Sequence, residues 1–130
     1  MTHKDYSIEL NNFSYNFGLA NISTFSISEE THKRIIVSKL YYALYHRILE
    51  ELPSIQNSDG SNKHETIENI LSKQANKGAL YLRLHQLFRD LKGFRVWADY
   101  NLMLSMPVNM NLILLQRKTF DTIKYAKLIY

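Results

Sequence analysis

The sequence predicts an all-α protein, an antiparallel bundle of four to five helices in one domain spanning residues 1–130. Two observations carry this. Residues 33–49 run without Gly or Pro and repeat their apolar residues at helical spacing. Two further amphipathic stretches, 79–98 and 109–130, follow the same period, and no pair of alternating segments offers a sheet.

Residues 1–25 are an irregular or short N-terminal element. Ile8, Leu10, Phe13, Tyr15, Phe17 and Leu19 alternate more than they cycle. No second strand exists to pair with them, so a short helix against the bundle is preferred over a strand. Ser26 and Glu29 have capping-box spacing, Ser28 is an alternative cap, and a helix is expected from about Ser28 to Leu52, before Pro53. In it Ile36, Leu40, Ala43, Leu44 and Ile48 form one stripe, flanked by Val37, Tyr41, Tyr45 and Leu49, a face wide enough for a central helix. Ser38, Lys39 and His46 are set into that face, and polar groups there need partners or water.

Residues 53–62 read as an exposed loop. Asn62 and Glu65 repeat the cap spacing and open a short helix to about Ala75, which Asn76-Lys77-Gly78 breaks. The helix from Ala79 places Leu80, Leu84, Leu87, Leu91, Phe94 and Ala98 on one face, with Leu44 and Leu87 expected in the core. Gly93 allows a kink or close helix approach near its end. The connection 99–108, with Leu102, Met103, Leu104 and Met106, is expected to pack down. The last helix begins near Asn109 and lines one face with Ile113, Gln116, Phe120, Ile123 and Ala126 or Lys127.

Composition narrows the function. With 130 residues, 45% hydrophobic and 22% charged, the chain is an ordinary globular domain large enough for its own core. It has no cysteine, which removes thiol catalysis, disulfides and thiolate metal sites. No apolar segment resembles a signal peptide or membrane span, so a cytoplasmic protein with no membrane partner is expected. The net charge is +4. Lys33, Arg34, Lys39 and Arg47 stand without an acid between residues 33 and 49, and residues 73–95 carry six basic residues against Asp90 alone. Such patches suit a polyanion or an acidic partner, or simply a solvated face.

The polar constellations are few. His85, Arg89 and Lys92 share a helix face and could grip phosphates. Arg95 and Asp99, four apart, could pair across one turn. His46 and His64 lie on different helices that a bundle brings together. No HExxH or Glu-x-x-His pair marks a metal, no clustered glycines form a phosphate loop, and no cofactor is called for.

Ser38-Lys39-Leu40-Tyr41-Tyr42-Ala43-Leu44-Tyr45-His46 resembles the Ser-Arg-x-Tyr-Tyr-Ala-x-Phe-His signature of HEPN domains, the higher eukaryote and prokaryote nucleotide-binding family. Two more segments agree in order. Lys63-His64 resembles that family's Lys-x-His or Thr-His helix start, and Arg95 with Ala98-Asp99-Tyr100 resembles its Arg-x-x-Ala-Asp-Tyr ending. The resemblance covers roughly residues 30 to 128.

The resemblance implies a four- or five-helix bundle, a homodimer or hetero-complex, and no metal. It implies one of two activities: a metal-independent RNase of toxin, phage-defence or CRISPR-associated systems, or a non-catalytic module paired with a small nucleotidyltransferase. The RNases carry Arg, four to six residues, then His. Here no His lies between positions 88 and 102 to follow Arg83, Arg89 or Arg95; Lys39 to His46 is the one approximate match, and Lys lacks the planar fork of Arg. The expectation is therefore binding of nucleotide, RNA or a protein partner through Lys39, His46, His64, Arg89, Arg95, Asp99 and Tyr100. The alternatives are a divergent RNase, with His46 or His64 as base and Arg95 or Lys39 on the phosphate, and a structural subunit whose basic face docks an acidic neighbour.

Overall fold

The structure, a computed structural model, describes residues 1–52 and 63–125, with side chains to residue 122. It is all-helical, with no strand among the described residues: α1 (His3–Leu19), α2 (Glu29–Glu50), α3 (Lys63–Gln74), α4 (Ala79–Tyr100) and α5 (Leu112–Tyr125), with 3-10 turns at Ile22–Phe25 and Ala75–Lys77. The loop expected at 53–62, the cap expected at Asn62 and the stretch beyond Tyr125, with Ala126 and Lys127, lie outside the described residues, as does the Ile123 side chain.

The central helix is α2. Ser28 caps it, accepting the Thr31 amide at 3.1 Å, and Glu29 and Glu30 occupy the positive first turn. Ser26 is not the cap. It sits in the left-handed region (φ 54°) and closes the preceding 3-10 turn. The whole expected stripe is buried, Val37, Leu40, Ala43 and Leu44 completely. Both neighbours of α2 run antiparallel to it. Ser7 of α1 meets Ala43 and Phe17 meets His32, while Arg34 reaches Trp97 and Tyr41 packs on Phe88 of α4. Leu84, Leu87, Phe88, Leu91, Phe94, Trp97 and Ala98 bury the inner face of α4, and Ile67 and Leu71 of α3 close one side.

Five expectations need correction. The N-terminal element is a regular helix of 17 residues, capped reciprocally by Thr2 and Asp5. Its inner stripe is Ser7, Leu10, Asn11, Ser14 and Phe17, mostly small or polar residues. The Ser7 hydroxyl donates to the Ala43 carbonyl at 2.5 Å and the Ser14 hydroxyl to Leu10 at 2.9 Å, so the polar atoms are satisfied and the helices approach closely. Gly93 is exposed with nothing near its Cβ position, and α4 runs past it to Tyr100. Leu80 is also exposed, so the buried face of α4 begins at Leu84.

The other two corrections concern apolar side chains that turn outward. Leu102, Met103, Leu104 and Met106 are exposed, Met103 almost fully. The Leu102 and Leu104 carbonyls turn inward instead: Arg34, itself buried, donates to Leu102 O at 3.4 Å, Leu104 O at 2.9 Å and Trp97 O at 2.6 Å, and lies 4.1 Å from the Trp97 ring centre. On α5, Ile113 and Phe120 are exposed, and Leu115 and Thr119 take the buried positions. The face chosen from apolar spacing is rotated from the one the bundle covers.

Candidate functional site

Of the expected residues, His64, Arg95 and Tyr100 meet where α2, α3 and α4 come together. Tyr41, Tyr42 and Tyr45 lie on one side of α2 by helical spacing. His64, in the first turn of α3, stacks on Tyr45 with centroids 4.5 Å apart and interplanar angle 22°, and its Nδ1 shares a hydrogen bond with the Tyr41 hydroxyl. From α4, Arg95 places its guanidinium carbon 4.9 Å from the Tyr41 ring centre, 5.8 Å from that of Tyr42 and 5.3 Å from that of Tyr100. Its NH1 donates to the Tyr100 hydroxyl at 3.2 Å.

Arg95 is only 8% exposed, yet among the described residues no carboxylate pairs with it, and its Nε is buried without a hydrogen-bond partner there. The turn-spanning pair with Asp99 does not form. Asp99 is exposed and accepts from Ser38 at 3.1 Å. The nearby Lys92 is neutralised by Glu68 at 2.5 Å. Arg95 is thus a cation in an aromatic box, stabilised by ring faces and one hydroxyl.

His46 lies at the same cluster, separated from His64 by the Tyr45 ring, which meets it edge-on at 5.2 Å. Its Nδ1 faces Nδ1 of His3 at 2.8 Å, and Tyr6 packs edge-on against it. His3 and Tyr6 are not marked in the sequence, because the inner stripe of α1 is largely small and polar and gives no apolar period. The capping spacing of Thr2 and Asp5 was the signal that could have found them. Burial, with lesser contributions from His3 and His64, pulls the His46 pKa down to about 4. Burial, then Arg95 and Lys92, also lowers that of His64, and burial raises those of Tyr41 and Tyr45. At neutral pH both imidazoles and the phenols are uncharged, and Arg95 alone carries charge at the centre of the box.

The remaining candidates sit outside the box. Lys39 is half-buried one turn before Tyr42 on the same stripe of α2, at the edge of the cluster. Arg89 is exposed about a third of a turn round α4 from Arg95. Two residues counted in the basic patch are committed elsewhere: Arg34 holds the end of α4, and Arg47 is buried and pairs with Glu51 at 2.7 Å. Among the described residues no group of three metal-ligating side chains converges, and no helix is long and apolar enough to cross a membrane.

The histidine shifts have a pH consequence. An unfolded imidazole titrates near 6.5, whereas folded His46 does so at about 4. Above pH 6.5 neither state is protonated and the contribution is fully present. As pH falls toward 4 the unfolded chain binds a proton that the folded one resists, so stability drops. Discounted for the half-exposed ring, the loss between pH 7.5 and 4.5 is about 1–2 kcal/mol. Urea unfolding at both pH values checks it, and a His46→Phe variant should lose less on acidification than the wild type.

No family model, curated protein or solved structure matches the chain.

Proposed function

We propose that this chain is a non-catalytic HEPN-like module that binds the phosphate of a nucleotide or RNA in the box around Arg95. The observation that carries the reading is a buried guanidinium with no acid beside it, and no partner for its Nε, among the described residues. Such a group is stabilised by an incoming anion, and Arg suits phosphate through its planar fork. Tyr42 and the exposed Tyr100 flank it with ring faces on which a base can stack. The resemblance of residues 38–46, 63–64 and 95–100 to HEPN domains supports the same ligand class and a place in a prokaryotic defence, CRISPR-associated or toxin–antitoxin system. The exposed Leu102, Met103 and Leu104 support a second subunit, as a homodimer or hetero-complex.

Binding is favoured over cleavage by how the histidines are engaged. The Nδ1 of His64 is engaged by the Tyr41 hydroxyl, so that nitrogen is not free to serve as the base a nuclease needs. His46 is occupied by His3. The test is a metal-free assay, with chelator, on a labelled single-stranded RNA, alongside fluorescence anisotropy at two salt concentrations. Intact RNA with affinity that falls as salt rises is expected. Cleavage that disappears in His46→Ala or His64→Ala, with helicity unchanged, would replace this reading by the nuclease one.

A further inference from the structure

The first turn of α1 brings a second imidazole against His46, and neither the aromatic box nor the bundle core requires it. His3 and His46 are both half-buried and face each other Nδ1 to Nδ1 at 2.8 Å, their ring planes 17° apart. Such a contact holds one proton between two nitrogens, so one ring donates and the other offers its lone pair. The corner is held from both sides. Thr2 and Asp5 cap α1, and the Lys4 amide donates to Glu50 at 3.1 Å, one turn along α2 from His46. A carboxylate is therefore fixed at the same end of α1 as the imidazole pair, where it favours added positive charge.

We infer that His3 and His46 form a binding site for a divalent transition-metal ion of the copper or nickel type. The inference is independent of the phosphate reading, since neither residue touches Arg95. Two imidazole nitrogens at metal distances of about 2.0–2.1 Å and separated by 2.8 Å subtend about 90° at the ion, the angle of adjacent square-planar or octahedral positions. A tetrahedral zinc site would need them about 3.3 Å apart. Each ring turns about its soft χ2 so that the lone pairs converge, and the shared proton moves to the outer Nε2 as the tautomer changes. No third side chain is in place among the described residues, so water completes the sphere. Two nitrogen ligands with water suit the top of the Irving–Williams order, where imidazole binds Cu2+ more tightly than Zn2+.

The test is titration of the full chain with Cu2+ in a non-coordinating buffer at pH 7, read by tyrosine fluorescence quenching and by the nitrogen ligands in the electron paramagnetic resonance spectrum. Wild type, His3→Ala and His46→Phe are compared. His3 lies in an end turn, and Phe keeps a ring against Tyr6 and Tyr45, so both variants retain the fold. One equivalent should bind to wild type with two nitrogen ligands, at least tenfold more tightly than Zn2+, and each substitution should weaken it at least tenfold. Equal binding by all three proteins would overturn the inference. So would loss in His3→Ala with retention in His46→Phe, or no binding at ~100 μM metal, a concentration above the dissociation constant of a useful two-imidazole site.

Discussion

Arg34→Met should destabilise the protein by about 3 kcal/mol, one of the two largest effects expected from any substitution discussed above. The last carbonyls of a helix have no partner within it. At the end of α4 the Trp97 and Leu104 carbonyls receive the two terminal nitrogens of Arg34, at 2.6 and 2.9 Å, and the Trp97 indole N–H also donates to Leu104 at 3.0 Å. Met keeps an apolar stem against the Trp97 ring and removes the charged donors, so the Trp97 carbonyl is left with the Asn101 amide at 3.3 Å and the Leu104 carbonyl with the indole N–H, each without its charge-assisted bond. Arg34→Lys should recover little, because one ammonium cannot span both carbonyls and stack on the indole. The chain has a single tryptophan, so Trp97 fluorescence during urea unfolding reports on the altered corner directly. A Met variant within 0.5 kcal/mol of wild type would mean that water replaces the guanidinium without cost.

Arg34 also marks the limit of what the sequence alone discloses. Its place among Lys33, Lys39 and Arg47 makes it look like surface charge, and nothing local distinguishes a side chain that reaches 63 residues along the chain to cap another helix. The connection expected at 99–108 departs from expectation for the same reason. Its apolar residues promise burial, but its backbone is anchored through carbonyls, and the side chains point away. In α2, where tertiary packing and apolar period agree, every expected core position is buried. In α1 they disagree: Ser7, Asn11 and Ser14 hold the inner stripe, and period analysis weighs only apolar residues. In α5 the apolar residues outnumber the covered positions, so spacing selected Ile113 and Phe120 while packing selected Leu115 and Thr119.

The candidate site is legible where its residues lie on α2 and α4, since helical spacing on two antiparallel helices brings Arg95 to the rings of Tyr41 and Tyr42. His64 joins them from the first turn of α3, which the spacing on α2 and α4 does not fix. Pairing was not legible. Arg95 and Asp99 have the spacing of an ion pair, but Asp99 turns to Ser38 and Arg95 is drawn into the rings. Sequence spacing tells which groups can meet; the competition among partners is decided by burial.

That competition sets the second large effect. Arg95→Met should lower affinity for a single-stranded RNA by about 30-fold or more, roughly 2 kcal/mol, while leaving stability within about 1 kcal/mol of wild type. Arg95 contributes little net stability to the free protein: its Nε is buried without a partner, which costs about 1–3 kcal/mol, and this offsets the gain from three ring faces and the Tyr100 hydroxyl. Met has similar length, packs on the same rings and carries no charge to desolvate. The bound anion, by contrast, loses the buried cation at the centre of the box. The Glu68-paired Lys92 and the outlying Lys39 cannot replace a fork inside the box. A purely structural arginine would give the opposite result, with stability falling by more than 2 kcal/mol and binding unchanged. Urea unfolding and anisotropy on the same preparation separate the two, and that opposite result would remove Arg95 from the site.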